Sequence, residues 1–125
     1  MELPLLRADN RSAVRNDLAP LLDRIRLLAD EQPNGSPARL LEELEHTLTD
    51  GYALALALEG ESIRIEKEIG VTLARVKEGE TFAGFDQLAE RLAATERELR
   101  SLRAHLASLR IRTESVRAAA LAPRV

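Results

Sequence analysis

The sequence predicts an all-α protein: a long antiparallel helical hairpin of coiled-coil type with a shorter N-terminal helix, assembled as a dimeric helical bundle. Three observations predict it. Apolar residues recur at alternating steps of three and four over two stretches of about 40 residues each. Only a few residues separate the two stretches, and short connections join antiparallel neighbours. The 125-residue chain carries just three aromatics, Tyr52, Phe82 and Phe85, so its core is Leu, Ile, Val and Ala, which suits helix on helix better than a sandwich or barrel. At this length the chain reads as one domain, 1–125.

The first helix is expected over 9–31, with Val14, Leu18, Leu21, Ile25 and Leu28 on one stripe. Pro20 lacks a backbone donor and is expected to kink or restart it. The linker, 32–36, holds the turn formers Pro33, Asn34 and Gly35, then Ser36 as N-cap and Pro37 at the first helical position. The second helix then runs over 37–77, with a seam of Leu41, Leu44, Leu48, Gly51, Ala55, Leu58, Ser62, Ile65, Ile69, Thr72 and Val76. The third is expected over 81–121. Its seam is Phe85, Leu88, Leu92, Thr95, Leu99, Leu102, Leu106, Leu109, Thr113, Val116 and Ala120.

In an antiparallel pair, the numbers of facing residues add to a constant. A total of 157 pairs Gly51 with Leu106, Leu58 with Leu99 and Ile65 with Leu92, and sets the two mid-seam polar residues, Ser62 and Thr95, opposite one another. A polar pair can hydrogen-bond, whereas a lone polar group against leucine cannot, so this register is preferred. It brings Glu68 near Arg91 and Glu45 near Arg110, and it also sets Glu61 near Glu98 and Glu59 near Glu96, two like-charge conflicts. Gly51, Gly60 and Gly70 each cost about 1 kcal/mol relative to alanine in a helix. Close packing is expected at Gly60 and Gly70, while Asp50-Gly51 is left open between close packing and a break.

The second helix is apolar beyond its seam. Residues 52–58, Tyr-Ala-Leu-Ala-Leu-Ala-Leu, are apolar all round, and Tyr52, Leu56, Ile63 and Leu73 form a second stripe. A helix apolar on every side must be surrounded. The short first helix can cover only part of it, so Tyr52, Leu56, Ile63 and Leu73 are the expected interface with a second copy of the chain or with another helical protein. On the third helix, Ala93, Ala94, Ser101, Ala107, Ser108 and Ser115 offer a small-residue face that permits close approach.

Composition narrows the function classes. Without cysteine, disulfides, thiolate metal sites and cysteine nucleophiles are all excluded. No apolar run approaches the ~20 residues of a membrane span, and the N-terminus MELPLLRADN lacks a basic region followed by a long apolar one, so a soluble cytoplasmic protein without membrane contact is expected. The net charge of −3 is unevenly spread. Residues 42–80 carry ten acids against four bases, whereas residues 97–125 carry seven arginines against two glutamates. The arginines are expected to face the acidic second helix rather than nucleic acid, since lysines are few and stacking aromatics absent.

Glu43 and His46 form Glu-x-x-His, the spacing by which ferritin-like bundles present two metal ligands from one turn. A complete di-iron site needs two such turns and two further glutamates, and the chain has one copy. His105 would lie about two turns from His46 along the hairpin, so it reads as a surface or interface histidine. Phe82-Ala83-Gly84 resembles, over three residues, the Trp-x-Gly turn of small secreted helical-hairpin proteins, with Phe in place of Trp. No family is assigned on it, and Phe82 and Phe85 are expected to close the end of the hairpin core. The leading reading is a non-enzymatic scaffold or adaptor with no cofactor, acting by self-association and helix contacts. The alternatives are a metal-binding carboxylate bundle using Glu43 and His46 and, behind it, a nucleic-acid-binding helical protein.

Overall fold

The computed structural model describes residues 3–31, 36–79 and 84–122, with side chains of the first helix described from Asp17 onward. It contains three helices, α1 (Leu3–Asp30), α2 (Pro37–Lys77) and α3 (Phe85–Leu121). Among the described residues there is no strand. The second helix has the expected bounds because both ends are capped. Ser36 sits in extended backbone (φ −135°, ψ 97°) and its Oγ accepts from Arg39 N–H at 3.3 Å, with Pro37 at a position where no donor is needed. At the other end Glu78 N–H donates to Arg75 C=O and Gly79 N–H to Val76 C=O, both at 3.0 Å. Gly79 then turns the chain away at φ 99°, a left-handed conformation that glycine adopts without steric cost.

The other two helices differ from expectation at their starts. α3 begins at Phe85 rather than Thr81, because Gly84 takes φ 84° and interrupts right-handed helix at that point. Thr81 and Phe82 lie outside the described residues. α1 begins at Leu3 rather than Asp9. Pro4 falls in its first turn, where a missing N–H breaks no bond. Nor does Pro20 restart the helix: α1 is continuous through it. Pro20 is exposed, so water can reach the carbonyl that its ring leaves without a donor. The stripe from Leu18 to Leu28 faces the core as expected, while the Val14 side chain lies outside the described residues.

α2 and α3 pack as an antiparallel hairpin, with ion pairs whose numbers fall on one helix as they rise on the other: Glu45–Arg117, Glu59–Arg103 and Glu68–Arg91. The register is fixed most directly at Gly51, where a Cβ would collide with Leu106 Cδ2; these two positions add to the expected 157. Leu44, Gly51, Ala55, Leu58, Ser62 and Ile65 are buried on α2, against Thr95, Leu99, Leu102, Leu106, Leu109, Thr113 and Val116 on α3. Near its N-terminal end, α2 also buries Leu40, Thr47 and Leu54, and leaves the expected seam residues Leu41 and Leu48 only half-buried. The cause is α1. Its Leu21, Ile25 and Leu28 are buried in the same core, with Leu21 beside Leu54 and Leu28 beside Thr47, so α1 runs antiparallel to α2 and draws the buried face round toward itself.

Seam polarity is handled within each helix. Ser62 and Thr95 are both buried, as the register requires, but the bond of the Ser62 hydroxyl is to Glu66 Oε1 at 3.5 Å, one turn along α2. Thr113 Oγ1 donates to Leu109 C=O at 2.8 Å and Thr72 Oγ1 to Glu68 C=O at 2.9 Å, the local back-bonding open to a hydroxyl in a helix. The glycines correct the expectation at Gly60 and Gly70 and decide the position left open at Gly51. α2 does not break at Asp50-Gly51, and close packing occurs at Gly51. A Cβ at Gly60 would meet only Arg64 Nη1 at 3.6 Å, and one at Gly70 would meet nothing within 4 Å.

Candidate interaction surface

The hairpin has two flanks. One receives α1, held by apolar contacts and by two polar clamps: Arg24 Nη2 lies 2.6 Å from Asp50 Oδ2, and Arg112 Nη2 donates to the Glu31 carbonyl beyond the end of α1. That carbonyl has no partner within the helix, so the guanidinium serves as its cap.

On the other flank α2 and α3 leave an open groove of about 630 Å³, floored by Ala55 and Leu106 and lined by Tyr52, Leu56 and Glu59 of α2 and Arg103, Ala107, Arg110 and Ile111 of α3. The four residues expected at an interface are all exposed: Tyr52 45%, Leu56 68%, Ile63 53% and Leu73 40%. Of these, the groove brings together Tyr52 and Leu56. Ile63 continues their stripe two turns on, and Leu73 lies farther along the arm. Ile111, exposed to 70%, joins the patch from α3 and was not expected. Its signal is an isoleucine off the seam between two arginines, one turn from Ala107. Of the small-residue face, Ala93, Ser101, Ala107, Ser108 and Ser115 are exposed and Ala94 is half-buried.

Ion pairs edge this groove. Glu59 pairs with Arg103 and Glu45 with Arg117 across the two helices, at 3.4 Å for the latter. Arg110, the expected partner of Glu45, instead lies 3.6 Å from Glu114 in its own helix, since an i,i+4 neighbour is within easier reach. In both like-charge pairs the α2 glutamate has arginine partners. Glu61 is held by Arg64 at 2.8 Å and by Arg91 at 3.2 Å, and Glu59 by Arg103. Four arginines at the C-terminal end of α3 therefore meet acceptors within the chain: Arg103, Arg110, Arg112 and Arg117.

The Glu-x-x-His pair sits on the α1 side. His46 is 74% exposed and its Nε2 lies 3.7 Å from Asp50 Oδ2, the carboxylate that also holds Arg24. Glu43 lines the same surface with Arg24 and Leu28. Among the described residues no group of three or more His, Asp or Glu side chains converges as a metal site would. His105 places Nδ1 2.7 Å from the Ser101 carbonyl, which can only accept, so that nitrogen carries the proton. Among the described residues, no helix is long and apolar enough to cross a membrane. No protein-family model, curated protein or solved structure matches this chain.

Proposed function

We propose that this protein is a non-enzymatic, cytoplasmic helical scaffold or adaptor that acts through self-association and helix-mediated contacts on the open flank of its hairpin. The observation that carries the reading is the joining of Tyr52, Leu56 and Ile111 into one exposed apolar patch over a groove, on the flank opposite α1. Scattered exposed leucines are ordinary on a protein surface, but a contiguous apolar patch rimmed by charges is characteristic of an interaction site. A groove between two helices is the shape that accepts the apolar side chains of further helices.

The test is mass in solution as a function of concentration, for the native chain and for Leu56→Glu. Burial of one leucine contributes about 1.5–3 kcal/mol, and a carboxylate in its place would be desolvated. Leu56→Glu is therefore expected to weaken self-association by at least roughly tenfold, which is about 1.4 kcal/mol, with helicity unchanged. A native chain that stays monomeric at every concentration would overturn the proposal.

A further inference from the structure

We infer that the occupant of this groove is a second copy of the chain, docked about a two-fold axis that runs along the hairpin, so that each α2 lies over the partner's α3. The inference rests on the self-association proposed above and specifies its geometry. A symmetric dimer uses one patch on both subunits, and that patch must complement itself. In this one Leu56 and Ile111 project from the two rims, and the rims carry opposite charge.

Two face-to-face arrangements present this patch to itself. With the axis along the hairpin, α2 meets the partner's α3. With the axis across it, α2 meets α2 and α3 meets α3. Charge selects between them. The α2 rim carries Glu45 and Glu59, and the α3 rim carries Arg103, Arg110 and Arg117 against one acid, Glu114. In the first arrangement each acidic rim lies over a basic one. In the second, glutamate faces glutamate and arginine faces arginine, and like charges in a partly dehydrated interface oppose docking. Height along the bundle agrees. A rotation about the long axis keeps every residue at its own level, and the 157 register sets Arg110 level with Thr47, half a turn from Glu45. Arg110 is held only by a neighbour in its own helix, at 3.6 Å, with 69% of its side chain exposed. It is thus placed to reach the partner's Glu45. By the same register Tyr52 stands about 3 Å, or two residues at 1.5 Å each, from the level of the partner's Ala107.

The chain has no cysteine, so single-cysteine variants report the geometry without background. Tyr52→Cys and Ala107→Cys, one lengthened by a tag, are oxidised separately and as a mixture allowed to exchange subunits, and the products are sized on a non-reducing gel. Circular dichroism checks that each variant remains helical. The expected result is a mixed disulfide as the dominant product of the mixture, with much less linkage in either variant alone. A dominant Tyr52→Cys self-link would overturn the inference in favour of α2 over α2. A dimeric mass with no link of either kind would overturn it by placing the interface elsewhere, leaving self-association standing. A monomeric mass for the native chain would overturn the inference and the proposed function together.

Discussion

The two ends of the hairpin have the same helices, the same heptad spacing and the same register, yet they are buried to different degrees. Where α1 docks, Leu44, Leu58, Leu102, Leu106 and Leu109 are almost entirely removed from water, together with Leu21, Ile25 and Leu28. Toward the connection, Ile69, Thr72, Val76, Phe85, Leu88 and Leu92 are only half-buried, and Val71 and Leu73 are exposed. The heptad pattern is indifferent to this contrast, because a two-helix seam buries each knob on one side only and a third helix is needed to close the other. Periodicity thus reports which residues face a neighbour. How dry they become depends on how many neighbours there are.

The largest effect expected from this contrast is in truncation of matched leucines. Leu102→Ala, in the fully buried half, should cost about 2–5 kcal/mol, the range for leucines whose loss leaves a cavity. Leu88→Ala, half-buried near the connection, should cost clearly less, because water already reaches the side chain and can fill the space. Urea denaturation at fixed protein concentration measures both. Equal losses would mean that the loop end is as tightly enclosed as the other.

Glycines provide the next comparison, and here the two halves should differ in sign. Gly51→Ala must displace Leu106, a residue only 2% exposed. Overpacking of a core costs about 1–3 kcal/mol, more than the ~1 kcal/mol gained in helix propensity. Gly70→Ala meets no neighbour within 4 Å and should stabilise by up to about 1 kcal/mol. A stabilising Gly51→Ala would show that Leu106 has room to move and would weaken the register evidence at that layer.

How much of this was legible in the sequence follows from the range of each interaction. The bounds of α2 depend on Ser36, Pro37 and Gly79, all local, and the hairpin register depends on seam spacing, which is periodic. Both could be read. The burial of Leu40, Thr47 and Leu54 could not, since it depends on which flank α1 chooses, and nothing in the heptads of α2 names that flank. Charge partners were legible only in part. The Glu68–Arg91 pair follows from register, at 3.8 Å, but long side chains span more than a turn, so Glu45 reaches Arg117 and leaves Arg110 to Glu114. The exposed apolar side chains Tyr52 and Leu56 could be read on α2, where an all-apolar run announces them, while Ile111 was missed because one off-seam isoleucine has no periodic partner.

The smallest effects are expected in the ion pairs, and they should reverse the order seen for the leucines. Arg24–Asp50, in the half enclosed by α1, joins side chains that are 46% and 43% exposed, and such pairs contribute about 0–1 kcal/mol. Arg91, toward the connection, is 32% exposed and lies 3.2 Å from Glu61, whose side chain is only 12% exposed, and 3.8 Å from Glu68. Less water reaches this cluster, so each charge is screened less. Arg91→Met should therefore cost about 1 kcal/mol, more than Arg24→Met. Arg64 keeps its 2.8 Å contact with Glu61 in the variant, which prevents a larger loss. Denaturation of both variants at low and high salt separates the contributions: the Arg91→Met deficit should shrink with salt but persist, and that of Arg24→Met should nearly vanish. If the ranking were the other way round, the loop end would owe its stability to its half-buried seam alone, and its charges would be ordinary solvated surface.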